Sequence, residues 1–345
     1  MGLAIRDLVS KQEIAISDLS GKILAVDSMN LLYQFLTTIR GPTGGPLTND
    51  KGQVTSHLIG LFNRTTSLME EGVKLVFVFD GKAPAIKQKT WDKRAQAKSI
   101  AANKLAVAEQ DENTDDIKRY SAQTAVLTKD MVEDAKNLIR ALGCPIVEAP
   151  SEGEAQASHL VTIGKAYACV SQDYDTLLFG APRVIRNLSI DGKRKKPGTL
   201  AYEIVKPEMV ELEKVLTELK LTQEQLRVLA ILIGTDYNPG GIKGIGPKKA
   251  LKLLHEHATD YPAIFDQVGW ANTYPDLPWT ELLDVIKNIP TTDSPEFMWN
   301  PIVEEELVTL LVNQYGFSAD RVKSKLSKLT QVRKTKNQIG LDKFF

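Results

Sequence analysis

An α/β fold with a parallel central sheet is predicted by three observations: short runs that are apolar throughout recur along the first half of the chain, helical stretches separate them, and each run leads into acidic residues. Continuous apolarity, without the alternation of a half-exposed strand, is the mark of strands covered on both faces. Ile23-Leu24-Ala25-Val26 comes first and ends at Asp27, and Leu75-Val76-Phe77-Val78-Phe79 ends at Asp80. Cys144-Pro145-Ile146-Val147 runs through Glu148-Ala149-Pro150 into Glu152 and Glu154, while Ala166-Tyr167-Ala168-Cys169-Val170 leads to Asp173 and Asp175. In open α/β sheets ligands bind beyond the carboxyl ends of the strands, so four strand ends delivering six acids to one edge describe a single site. A seventh acid, Asp236, follows the apolar helix Leu226 to Ile233.

Taken singly, these acids also fit structural roles: Asp80-Gly81 reads as a turn, and Ser151 with Glu154 three residues on reads as a capping box. Taken together they do not. Like charges gathered at one place repel and raise each other's pKa unless a cation compensates them. Hard oxygen donors without a His or Cys cluster suit Mg²⁺ or Mn²⁺. Six or seven acids exceed the need of one ion and suggest two, which in phosphoryl-transfer sites lie roughly 3.5–4 Å apart.

Residues 1 to about 80 read as strand, helix, loop, helix and strand, with a turn-rich excursion at Gly41-Pro42-Thr43-Gly44-Gly45-Pro46. The segment 82–130 interrupts the sheet pattern. It has helix-forming composition and no strand signal, which places it as helices over the acids. The α/β pattern resumes from about 131 through Asp175, a hairpin region follows over 180–205, and the rest is mainly helical. Gly241-Ile242-Lys243-Gly244-Ile245-Gly246-Pro247-Lys248-Lys249 reads as a helix-hairpin-helix, or alternatively as a plain glycine-rich loop between two helices. In the first reading Gly244 and Gly246 let backbone approach a phosphate, Pro247 suits the first turn of the next helix, and free amides there favour an anion. Lys248 and Lys249 add charge.

With 345 residues, 43% hydrophobic and 25% charged, the chain has the composition of an ordinary globular protein with a substantial core. Its two cysteines, Cys144 and Cys169, lie in or beside apolar runs, which argues for buried thiols, a reducing compartment and no disulfide or zinc framework. No apolar run approaches the roughly 18 residues of a membrane span, and the N-terminus lacks a signal-peptide pattern. Forty-three basic residues balance forty-three acidic ones, but unevenly. Lys82, Lys87, Lys89, Lys93, Arg94, Lys98 and Lys104 share the segment 82–104 with one acid, Asp92. Further basic clusters stand at 193–196 and from Arg321 to Lys336. A charge run is ordinarily a solvated face, and the 193–196 cluster fits that description. The 82–104 segment starts directly after Asp80, and this ties it to the acids.

The last eight residues, Gln338 to Phe345, mix polar and basic residues with two terminal phenylalanines. Gln338, Leu341, Phe344 and Phe345 match a sliding-clamp-binding pattern, in which one helical turn brings the leucine and the first aromatic to one apolar face. The alternative is a terminus docked on its own protein.

Together, Asp27-Ser28-Met29, Phe79-Asp80-Gly81-Lys82, Pro150-Ser151-Glu152-Gly153-Glu154-Ala155, Ser171-Gln172-Asp173-Tyr174-Asp175, Gly234-Thr235-Asp236-Tyr237 and the Gly244-Ile245-Gly246-Pro247 hairpin resemble the flap endonucleases of the structure-specific 5′ nuclease family, over essentially the whole chain. The chain stops at the clamp motif without the basic extension of eukaryotic members, so it looks archaeal. The resemblance implies a PIN-like nuclease fold: an α/β domain over 1–330 with a largely parallel sheet flanked by helices. Within it would lie an N-region of about 1–105, an internal region of about 120–260, a helical arch of about 82–130 and a helix-hairpin-helix of about 226–258, followed by a flexible tail over 331–345. It implies hydrolysis of a DNA phosphodiester near the junction of a 5′ flap with duplex, a 5′-3′ exonuclease activity, and work in Okazaki fragment processing and repair inside an archaeal cell, at the nucleoid.

By position, the resemblance assigns Asp27, Asp80, Glu152 and Glu154 to one Mg²⁺, and Asp173, Asp175 and, less directly, Asp236 to the other, with Mn²⁺ a substitute. Lys87 and Arg94 match arch-base residues that contact the scissile phosphate. Tyr33 matches an aromatic on which a base stacks, although an ordinary helix-face aromatic fits it equally well. Thr55, Ser56 and Arg64 fall where the family meets the strand opposite the flap. The family's hairpin also holds K⁺, but Asn238-Pro239-Gly240 lengthens the approach here. A sliding clamp of the PCNA type, branched DNA and a monomeric state complete the expectation. Two other classes remain: a phosphohydrolase of small esters would leave the hairpin and tail without purpose, and a catalytically silent, clamp-tethered DNA-binding protein would leave seven acids in unrelieved repulsion.

Overall fold

A computed structural model describes residues 3–189, 193–195, 202–293 and 296–341, with 88–94, 193–195, 202–204 and 333–341 described by backbone alone. Its main sheet contains β1 (Gln12–Glu13), β2 (Ile23–Asp27), β3 (Lys74–Phe79), β4 (Ile146–Glu148), β5 (Ala168–Val170), β6 (Arg183–Arg186) and β9 (Glu208–Glu211); β7 (Lys193–Lys195) and β8 (Tyr202–Ile204) form a separate antiparallel pair. The sheet order is β1-β9-β6-β5-β2-β3-β4. From β6 through β4 all neighbours are parallel, and β9 and β1 close one edge antiparallel. The chain leaves central β2 for β3 and β4 on one side, then crosses back to β5 on the other. The carboxyl ends of β2, β3 and β5 thus straddle the topological switch, where such sheets bind ligands.

Side-chain alternation divides the core between the two faces. Ala25, Val76 and Val78 point into one apolar cluster, and Leu24, Val26, Leu75, Phe77 and Phe79 into the other. The second cluster is covered by α1 (Ser28–Thr38), α2 (Ser56–Glu70) and α5 (Lys129–Ala141), joined by α14 (Glu304–Leu307) and α15 (Ala319–Leu341). The first takes α6 (Gly153–Thr162), α8 (Leu212–Leu219), α9 (Gln223–Ile233) and α10 (Pro247–His257). The short helices α7 (Asp175–Leu178), α11 (Tyr261–Gln267), α12 (Trp270–Thr273) and α13 (Trp279–Lys287) also belong to that side. In the 261–279 region, Phe265 stacks on Trp279 at 4.5 Å and meets Trp270 edge-on at 5.2 Å.

The insert over 82–130 is helical, with α3 (Gln88–Gln110) and α4 (Thr114–Thr124) packed as a hairpin through the buried Ala101 and Ala108. It leans on α1 and on the 41–46 turn. Lys98 sits over the Tyr33 ring at 5.9 Å and Arg40 donates to the Ser121 hydroxyl at 2.8 Å. Gly44, at φ +88°, lies so close to α4 that a Cβ would come within 2.7 Å of the Thr114 carbonyl oxygen.

Two expectations are corrected. The run at 144–147 forms a strand only over Ile146–Glu148, because Pro145 has no amide to give the ladder. The 180–205 region contributes β6 to the main sheet as well as part of a hairpin. The backbone past 331 is helical through Leu341, continuing α15, whose buried Val322, Leu326 and Leu329 pack into the core. No helix among the described residues is long and apolar enough to cross a membrane.

Candidate active site

The structure brings the seven predicted acids together. Asp27 ends β2 and caps α1: its Oδ1 accepts the Asn30 amide at 3.1 Å, and its Oδ2 the Ser171 hydroxyl at 3.2 Å. Asp80 follows β3 and accepts the Gly153 amide at 2.7 Å, tying that strand end to the start of α6. Glu152 and Glu154 flank this turn, and Glu154 Oε1 lies 3.4 Å from the Ser171 hydroxyl. On the turn after β5, Asp173 accepts from Asn30 Nδ2 at 2.7 Å, and Asp175 accepts the Leu3 amide at 2.9 Å. Backbone geometry at Gly81 fixes the approach of the two chain segments, because its amide donates to Ser151 at 2.7 Å and a Cβ there would sit 2.0 Å from the Ala149 oxygen.

Crowding shows in the acid equilibria. Burial, with Asp80 adding repulsion, pushes Asp27 up to about 7. Burial followed by Asp173 and Asp236 does the same to Asp175. Glu154 is driven well above the carboxylate range by burial, Asp27 and Asp175. Asp173 is raised by burial and Asp236. Asp80 is exposed at the rim, yet the protein packed around it raises it too, against the Gly153 amide and Lys87. A divalent cation would reverse each of these shifts.

One cation is already there. Lys87 Nζ pairs with Glu152 Oε1 at 2.7 Å and Asp236 Oδ2 at 3.7 Å, over the Tyr237 ring at 5.2 Å. Burial depresses this ammonium, but Glu152 and the other acids outweigh it and raise its pKa. No three His, Cys, Asp or Glu side chains among the described residues stand ready-made as a metal cage. The donor set still fits hard divalent ions: carboxylate oxygens whose buried charge an ammonium partly neutralises.

The other predicted residues divide. Tyr33 is exposed beside α3. Arg94 belongs to α3, but its side chain lies outside the described residues. Thr55, Ser56 and Arg64, which fall where the family meets the strand opposite the flap, are buried. Thr55 donates to the Leu47 carbonyl, Ser56 to that of Ile39, and Arg64 to that of Leu188, so they tie down the 40–55 loop and the 188 turn. Gly244, at φ +83°, and Gly246, the N-cap of α10, are exposed with open space where a Cβ would stand, and Lys248 and Lys249 lie exposed just after them. Gly241 closes the hairpin against α9: a Cβ there would sit 2.3 Å from the Ile233 carbonyl carbon. Gln338 and Leu341 lie in α15 by backbone, while their side chains and all of Phe344 and Phe345 lie outside the described residues.

Sequence reasoning gave no role to Tyr237, whose hydroxyl donates to Glu152 Oε2 at 2.8 Å, nor to Asn30 and Ser171, which bridge acids from different strands. Each sits in or next to a motif, but only the fold shows its partner.

A cluster of carboxylates at the switch of a mixed sheet, joined by Lys87 from a basic helical insert and followed by a glycine hairpin, is the site of a nuclease that hydrolyses DNA phosphodiesters. Family models agree, with an XPG N-terminal domain matched over residues 3–101 and an XPG I-region over 143–236. The chain belongs to the flap endonuclease 1 family: it is 46% identical over 345 residues to flap endonuclease 1 of Pyrococcus abyssi, covering 100% of this chain and 98% of the relative. The Pyrococcus furiosus protein is 45% identical over 100% of this chain and 99% of its own. Among solved structures, flap endonuclease-1 from Methanococcus jannaschii matches with TM-score 0.75 and 38% identity, over 97% of this chain and 100% of that one. The catalytic core of Rad2 in complex with DNA substrate, at 22% identity and TM-score 0.68 over 95% of this chain and 100% of that one, shares the fold.

Proposed function

We propose that the chain cuts a DNA phosphodiester near the junction of a 5′ flap and duplex, with a 5′-3′ exonuclease activity, in Okazaki fragment processing and repair at the nucleoid of an archaeal cell. The observation that carries this reading is the convergence of seven acids and Lys87 at one sheet edge. Asp27, Asp80, Glu152 and Glu154 would hold one Mg²⁺, and Asp173, Asp175 and Asp236 the other, with Mn²⁺ able to replace both. Bound there, the ions would help generate hydroxide and stabilise charge on the attacked phosphate and leaving oxygen.

The chain's own residues do the rest. Asn30, Ser171 and the Gly153 amide hold carboxylates in place by hydrogen bonds. Lys87 and Arg94 would meet the charge developing on the reacting phosphate, a fixed electrostatic contribution with no proton transfer. Tyr33 would offer a stacking surface to a base near the cut. Gly244, Gly246, Lys248 and Lys249 would grip duplex backbone without reading sequence, and K⁺ bound by hairpin carbonyls would add to that grip. The final residues, with Gln338, Leu341, Phe344 and Phe345, would dock a monomeric enzyme on a sliding clamp of the PCNA type.

Incubation with Mg²⁺ and a labelled 5′ flap, a plain duplex or a small phosphomonoester tests the reading. Rapid cleavage of the flap, slower trimming of the duplex from its 5′ end and no hydrolysis of the monoester are expected. Preferential hydrolysis of the monoester, or no cleavage of any substrate, would overturn it.

A further inference from the structure

Asn30 stands in the first turn of α1, three residues after Asp27, and is only partly buried. Three of its groups face the acid cluster. Its backbone amide donates to Asp27 Oδ1 at 3.1 Å, its Nδ2 donates to Asp173 Oδ2 at 2.7 Å, and its Oδ1 receives the Gln172 amide over a longer 3.4 Å. The amide orientation follows from its partners, since an ionised carboxylate only accepts and a backbone N–H only donates. An aspartate would repel Asp173, and an aliphatic side chain would give neither hydrogen bond. The position therefore asks for a group with a donor and an acceptor side by side.

Those hydrogen bonds cross the fold. Asp27 belongs to the acids assigned to one ion and Asp173 to the acids assigned to the other, and 143 positions separate Asn30 from Asp173. The turn carrying Asp173 is held from the far side as well, because Arg186 Nε donates to the Gln172 carbonyl at 3.0 Å. Asn30 fixes the near side, occupying one lone-pair direction of Asp173 Oδ2 and limiting rotation of that carboxylate.

We infer that Asn30 is a positioning residue that acts through Asp173, orienting its carboxylate for a divalent cation and linking the two halves of the acid cluster. This inference rests on the metal reading of the site. Outer partners that orient a ligand are typically worth about 10–100-fold in metal affinity.

Direct titration of Mn²⁺ into the full chain without DNA, followed calorimetrically, tests it independently of cleavage. Asn30→Ala should bind Mn²⁺ about 10–100-fold more weakly, and Asn30→Leu, which keeps the branched outline of the side chain without its donor and acceptor, should behave alike. Asp173→Asn should also weaken binding, and combining it with Asn30→Ala should cost little more than Asp173→Asn alone, because the asparagine would no longer have the group it orients. Wild-type affinity in Asn30→Ala or Asn30→Leu, or fully additive losses in the double variant, would overturn the inference while leaving the metal site standing. If Asp173→Asn bound Mn²⁺ as the parent does, the metal reading and the inference would fall together.

Discussion

Lys87 Nζ lies 2.7 Å from Glu152 Oε1, on the carboxylate whose other oxygen receives the Tyr237 hydroxyl at 2.8 Å. The basic insert thus begins with a cation held among the acids it overhangs. A phosphate approaching the acids would meet this ammonium among them, where like charge would otherwise turn it away.

Replacement of Lys87 by Ala should lower the single-turnover rate of flap cleavage by about 10²–10³, the usual cost of removing one preorganised charge at the reacting centre. Flap affinity should change much less, since the interaction strengthens as charge develops. Rapid-quench rates and equilibrium binding measured side by side decide between this role and that of a docking charge, for which both would fall equally.

Asp80→Ala should abolish cleavage in Mg²⁺ yet leave flap binding in metal-free buffer unchanged or tighter. The acid serves the cation and repels the phosphate, so its removal separates chemistry from affinity. Cleavage near the parent rate would remove Asp80 from the metal site.

Lys248 and Lys249 are exposed immediately after the open Gly246 backbone. Their joint replacement by Ala should weaken binding to every duplex-containing substrate regardless of sequence. The slope of log affinity against log salt should shrink by about 0.9 for each phosphate that the variant no longer neutralises. A salt titration that gives the parent slope would show that neither lysine meets the backbone.

His57 is fully buried on α2, neither ring nitrogen has a hydrogen-bond partner among the described residues, and burial lowers its pKa to about 4. Its folded pKa lies below the unfolded value, so the neutral ring's stability is complete above about pH 6.5 and is lost as pH falls toward 4. Relative to His57→Leu, the parent should lose about 3 kcal/mol over that window. Urea unfolding at several pH values reads this directly; parallel pH profiles for the two proteins would mean that the ring protonates freely in the fold.

Truncation after Lys336 should abolish binding to a sliding clamp and any stimulation by it, leaving unassisted flap cleavage nearly intact. Buried aromatic anchors commonly carry about 2 kcal/mol or more each. Calorimetric titration of clamp, with cleavage measured with and without it, is the check. Retained clamp binding would acquit the tail, and lost intrinsic cleavage would mean that it packs on its own domain.

From the sequence alone, the strand runs at 23–26 and 75–79, the helical insert, the hairpin glycines and all seven acids were legible. Apolar continuity, turn chemistry and acids at strand ends are local signals, carried by neighbours in the chain. The tertiary structure decided what depends on distant partners. It turned Arg64 inward to the Leu188 carbonyl, buried Ser56 against Ile39, and set Lys87 between Glu152 and Asp236. It also gave Tyr237 and Asn30 their acids. A side chain's residue type limits what it can bond, but which group stands within reach is determined by packing between segments far apart in the chain, and no pattern within either segment encodes that separation.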